Sequence, residues 1–111
     1  MDVVRSVDTG EAAPGGRLNV SLSVSVSKDI NAIIVTEELP LGFNIGTSWP
    51  FFSKHDPVVG NVSWLFYKRT GVDNVTITYT VNISTDISEG VYHINGSWSA
   101  LGPQGILRGE S

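Results

Sequence analysis

The sequence contains no cysteine, which removes disulfides, thiolate metal ligands and a thiol nucleophile at once, and leaves the redox compartment undecided. No apolar run approaches the ~20 residues that a membrane-spanning helix needs, so direct membrane insertion of this chain is not expected. Lys and Arg total only 7, are scattered, and are outnumbered by 11 acidic residues for a net charge of −4; a phosphate backbone would be repelled, and nucleic acid is not expected as a partner. Charged residues make up only 16 %, so the surface polarity must come from uncharged groups. A helical period of useful length is missing too.

What is present is 111 residues, enough for one hydrophobic core and no second domain. Polarity is supplied by 13 Ser, 8 Thr and 7 Asn, residues that suit a solvated strand face. Leu18 to Ser27 alternates apolar and polar without a fault, with Leu18, Val20, Leu22, Val24 and Val26 on one face. Asn74 to Ile83 does the same with Val75, Ile77, Tyr79, Val81 and Ile83. Shorter β-type runs span Val3 to Val7, Ala32 to Thr36, Val62 to Tyr67, Val91 to Trp98 and Gly105 to Leu107, each bounded by turn-forming residues. Pro14-Gly15-Gly16 predicts a type II turn that opens the second strand, and Pro40 with Gly42 ends the third. Gly46 to Gly60 lacks a period and reads as a long loop or irregular edge. Asn95-Gly96 fits either a hairpin turn or one continuous strand with Tyr92, Ile94 and Trp98; the continuous strand is the expectation here. About seven closely spaced strands without crossover helices predict an all-β fold, an antiparallel immunoglobulin-like sandwich.

The order of Pro14-Gly15-Gly16, the Leu18 to Val26 strand, Glu37-Glu38-Leu39-Pro40-Leu41-Gly42-Phe43, Trp64, Val75 to Ile83 and Gly90-Val91-Tyr92 resembles the Ig-like modules of archaeal and bacterial cell-surface or secreted proteins. Those motifs are turn and core residues, so they specify fold rather than activity. The resemblance implies a spacer, scaffold or adhesion module, with residues 1–111 forming one domain cut from a larger protein. The partners it implies are neighbouring domains of that parent or other surface proteins, and the location it implies is extracellular or at the cell surface.

Reactive constellations are sparse. His55 and His93 share no metal spacing, and Gly96-Ser97-Trp98-Ser99-Ala100 lacks the second glycine of a nucleophile elbow. Asp29, Asp56, Asp73 and Asp86 fall in expected loops, but no calcium-loop spacing joins them. Glu37 and Glu38 are adjacent, so on a strand they face opposite ways and cannot form an acid–base pair; both are expected to be solvated strand-end charges. The expectation is a noncatalytic chain with no cofactor and no metal.

Two features remain. Asn19, Asn61, Asn74, Asn82 and Asn95 each open an Asn-x-Ser/Thr glycosylation pattern, 5 of the 7 asparagines, against about 1.3 expected from the Ser and Thr content. Alternating polar strands generate such spacing by themselves, so the cluster has a structural as well as a functional explanation. Trp49, Phe51 and Phe52 crowd the unpatterned segment. They either cap one end of the core or form an exposed platform on which a sugar ring could stack, which makes polysaccharide a further candidate partner and a carbohydrate-binding module the alternative function. An exposed Trp49 beside polar groups would favour the platform.

Overall fold

The computed structural model describes residues 1–9, 11–27 and 29–111. Nine β-strands lie among them: β1 Asp2–Val7, β2 Arg17–Ser25, β3 Ala32–Glu38, β4 Phe43–Trp49, β5 Lys54–Asp56, β6 Asn61–Tyr67, β7 Val75–Ile83, β8 Asn95–Gly102 and β9 Gly105–Glu110. A four-stranded sheet in the order β1-β2-β7-β4 packs on a five-stranded sheet in the order β5-β6-β3-β8-β9, and every pairing is antiparallel.

The alternating strands bury the faces their sequences dictate. Leu18, Val20, Leu22 and Val24 of β2 lie beside Ile77, Tyr79, Val81 and Ile83 of β7, and both rows meet Ile33, Val35, Val62, Trp64 and Ala100 of the other sheet. Trp64 fills the centre of the core. Its indole tilts against Tyr79 with ring centroids 5.5 Å apart, an arrangement that adds to area burial.

Turn chemistry sets the strand ends. The Gly16 amide donates to the Ala13 carbonyl at 2.9 Å with Gly15 at φ +80°, so the type II turn forms at Pro14-Gly15 as its sequence requires. Phe43 N–H likewise donates to Pro40 with Gly42 at φ +87°. The chain starts and finishes at opposite ends of the sandwich: Asp2 pairs with Ser25 near the entry to β3, whereas Ser111 N–H donates to Gly96 beside the exit of β3 at Glu37.

Three expectations are revised. Strands number nine rather than about seven, because the Gly46 to Gly60 segment, read as a long loop or irregular edge, contains the end of β4 and all of β5, and both are edge strands, β4 with a register shift. The run Val91 to Trp98 is not one strand: β8 begins at Asn95. Its neighbour β3 ends at Glu38, the residue opposite Asn95, so no ladder remains for residues 91–94. Asn95-Gly96 is therefore neither a hairpin turn nor mid-strand but the first pair of rungs. Finally, Glu37 and Glu38 do face opposite ways, yet Glu37 points inward and is 0 % exposed.

Candidate functional site

The buried Glu37 carboxylate is held by two residues through three hydrogen bonds. Arg5 of β1 donates to it through Nε to Oε2 at 2.8 Å and through Nη2 to Oε1 at 2.5 Å, a bidentate charged pair. Tyr79 of β7 donates its hydroxyl to Oε2 at 2.6 Å. Arg5 also reaches Ser111, donating to its carbonyl at 3.4 Å and its hydroxyl at 3.2 Å. Arg5 and Tyr79 belong to one sheet and Glu37 to the other, so the cluster ties the two layers together. Gly96 makes room for it: a Cβ there would stand 2.5 Å from Glu37 Oε1 and 2.6 Å from Arg5 Nη2.

The pair with Glu37 pushes the Arg5 guanidinium further up, against the opposing effect of its burial. Burial, reinforced by the Glu37 carboxylate, pushes the Tyr79 phenol well above the usual tyrosine range. Both shifts favour the protonated forms of Arg5 and Tyr79, and every buried side-chain polar atom among the described residues has a partner. Such a closed cluster is suited to holding sheets together rather than to proton transfer.

The aromatic corner lies in the other direction. In β4, Phe43 and Ile45 face the core opposite Ile83 and Val81, and simple alternation would send Thr47 and Trp49 inward as well. A bulge between Ile45 and Ser48 inserts one extra residue opposite Thr80 and reverses the parity. Ser48 now faces inward, opposite Tyr79, and Trp49 faces outward opposite Thr78 with 79 % of its surface exposed. The corner is pinned from within: Trp64 Nε1 donates to Ser48 Oγ and to the Pro50 carbonyl, both at 3.0 Å, and Ser48 Oγ donates to the same carbonyl at 2.6 Å. Phe51 is exposed and stacks on Phe52 with centroids 4.2 Å apart, while Phe52 packs toward the core and against His55. Phe51 and Phe52 thus pair with each other, and Phe52 is the one of the three that turns toward the core. Trp49 is set on the outer face of its sheet, beside Thr76, Thr78, Thr80, Ser21 and Ser23, a surface of hydroxyl groups.

Three known structures share this architecture. The collagen-binding subdomain of the Enterococcus faecalis surface protein ACE superposes with a TM-score of 0.67 at 10 % identity, covering 98 % of this chain and 92 % of its own. The full-length major pilin SpaD from Corynebacterium diphtheriae gives 0.68 at 9 % identity over 98 % of this chain, which spans about a third of the pilin, 33 %. A chain from the complex of CaDoc0917 with CaCohA2 gives 0.56 at 16 % identity, covering 96 % and 86 %. The sandwich is immunoglobulin-like. Its counterparts include bacterial surface domains, and at these identities what they share with it is the fold. No protein-family model and no curated protein sequence matches the chain.

The five sequon asparagines are dispersed. Asn19 and Asn82 lie exposed on the outer face of the four-stranded sheet; Asn19 donates through Nδ2 to Asp8 Oδ2 at 2.8 Å. Asn74, just before β7, is exposed and accepts the Val26 amide at 2.8 Å through its Oδ1. Asn61 is half-buried at the start of β6, and Asn95 is exposed at the start of β8. His55 and His93 are exposed, His55 opposite Val62 on β5 and His93 just before β8.

Sequence reasoning missed the Arg5–Glu37–Tyr79 cluster, although a signal was present. Arg5 shares its strand face with Val3 and Val7, an inward position, and an inward charge on one strand calls for an opposite charge inward on another.

Proposed function

We propose that residues 1–111 form one noncatalytic structural or adhesion module of an extracellular or cell-surface protein, acting as a spacer or scaffold between neighbouring domains or toward other surface proteins. The observation that carries this reading is the near-complete overlap with the ACE subdomain, 98 % of one chain on 92 % of the other. The titratable cluster at the centre supports it, because Glu37 is engaged by Arg5 and Tyr79 and closed to substrate. The resemblance to archaeal and bacterial surface modules points the same way, and the exposed sequon asparagines are proposed glycan sites. Protease shaving of intact source cells tests the location: peptides of this chain should be released while cytosolic markers are not, and their complete protection would overturn the reading. Mass spectrometry of native material tests the glycans, and unmodified peptides covering all five sequons would remove them.

One observation favours a second reading. Trp49 is exposed on a face of threonine and serine hydroxyls, as a surface that stacks a pyranose ring and bonds its hydroxyls requires. A pull-down on soluble and insoluble polysaccharides should then show binding that Trp49→Ala abolishes. Retention by no polysaccharide leaves the structural role alone.

A further inference from the structure

The outer faces of the two sheets differ. That of β1-β2-β7-β4 is mostly Ser, Thr and Asn, whereas that of the five-stranded sheet carries a contiguous apolar group. Tyr67, Leu65, Ile34, Leu101 and Ile106 lie on β6, β3, β8 and β9, each between 42 and 71 % exposed. Scattered exposed apolar side chains need no cause, but a contiguous set marks an interaction surface.

The strand registers order this face into rows across the sheet. One row runs Tyr67, Ala32, Leu101, Ile106; the next runs Leu65, Ile34, Ser99, Arg108; the third runs Lys54, Ser63, Thr36, Ser97, Glu110. Because β3 is the central strand, each row is laid out on either side of it. Lys54 stands two strands to one side and Glu110 two strands to the other. Leu65, a protruding apolar side chain, stands opposite in position to Ser99, a small polar one. Around Ser99 lies a shallow hollow of about 420 Å³, bordered by Ile34, Thr36, Ser97, Arg108 and Glu110.

We propose that this face binds a second copy of the chain about a two-fold axis running along β3. That axis exchanges the two halves of every row, so three complementary matches arise together and each occurs twice. Lys54 of one copy meets Glu110 of the other, Leu65 enters the hollow at Ser99, and Tyr67 meets Leu101. Ile34 packs on its own counterpart at the axis. Glu38 lies on the same axis beyond Thr36, where two carboxylates would repel, so the contact is centred on Ile34 and ends before Glu38. The three rows hold 13 positions, each covering about 4.8 Å across the sheet by about 6.6 Å along it, which gives a face of roughly 400 Å². That is small for a protein interface and fits a weak, reversible dimer.

Sedimentation equilibrium at low salt, from about 1 µM to about 1 mM, tests this on the whole chain. The wild type should dimerise, and Leu65→Asp should be monomeric throughout. Lys54→Glu and Glu110→Lys should each weaken association at least about 10-fold, and the double reversal K54E/E110K should restore it. All three substituted positions are exposed, and unchanged circular dichroism melts confirm folding. A wild type that stays monomeric, or a dimer that the double reversal fails to restore, overturns the proposal; the former outcome would point to a neighbouring domain or another protein as the occupant.

Discussion

Replacing Arg5 by Met removes the cation but keeps much of the stem volume, leaving the Glu37 carboxylate buried with only the Tyr79 hydroxyl to satisfy it. An orphaned charge in that position costs about 3–5 kcal/mol. Because the Arg5 side chain retains 14 % exposure, solvent screening pulls the value toward the lower end. For 111 residues, the corresponding loss in melting temperature is about 4–5 °C per kcal/mol, or about 12–20 °C in total. Urea and thermal unfolding followed by far-UV circular dichroism would measure it. Glu37→Gln in the Arg5→Met background removes the stranded charge and should recover a substantial part of the loss, so the double-mutant cycle should show strong coupling. The triple change Arg5→Met, Glu37→Leu, Tyr79→Phe replaces the whole polar set and should come close to wild-type stability. A cost for Arg5→Met below about 1 kcal/mol, the level of a surface pair, or simple additivity with Glu37→Gln, would refute the inter-sheet lock.

Gly96→Ala attacks the same lock from the opposite strand, since its Cβ intrudes between Glu37 and Arg5; a loss of about 2 kcal/mol or more is expected in the same unfolding assay. Trp49→Ala removes the most exposed of the three indoles and with it the largest part of the acrylamide-quenchable fluorescence, the partly buried Trp98 keeping the rest, with stability changed by about 0.5 kcal/mol or less, whereas Trp64→Ala costs about 3–5 kcal/mol. Tyr79 gives a pH signature. Its proton is held more tightly in the folded chain than in the unfolded one, so stability is whole below about pH 10 and falls as pH rises past it; Tyr79→Phe should flatten that alkaline decline in a pH series of melts. Asp8 has the opposite sign. Hydrogen bonds from Asn19 lower its pKa, so its contribution is present above about pH 4 and is lost as pH falls, and an NMR titration of its carboxyl should show the depression, which Asn19→Ala diminishes.

The strands that were plainest in the sequence are those whose two faces meet different media. β2 and β7 have the core on one side and solvent on the other, and their alternation states both facts. β4 was hidden because its bulge adds one residue and shifts the apolar period midway, so that Phe43, Ile45 and Trp49 belong to one parity in the sequence and two in the fold. β5 is only three residues long and carries no pattern of its own. The over-extension of β8 has a different origin: Ile94 continues the apolar parity and packs against the core, yet a strand exists only where a partner strand does, and β3 has ended. Neither the pairing of Glu37 with Arg5, 32 residues apart, nor the symmetric layout of Lys54 and Glu110 around β3 is a local property of the chain. Both depend on strand order, which alternation does not encode. The continuous runs Ala32 to Val35 and Trp64 to Tyr67 did carry one legible message, since a strand apolar on both faces has something to cover on each.

Because β1 and β9 run toward opposite ends of the sandwich, the proposed spacer role would load them in shear. A pull that draws β1 downward at Asp2 and β9 upward at Glu110 acts along both strands, not across them. The hydrogen bonds of each ladder then share the load and must yield together instead of opening one after another like a zip. Arg5, bound to both Glu37 and Ser111, adds a cross-tie between the sheets, so a sliding β1 must break those bonds as well as its own ladder.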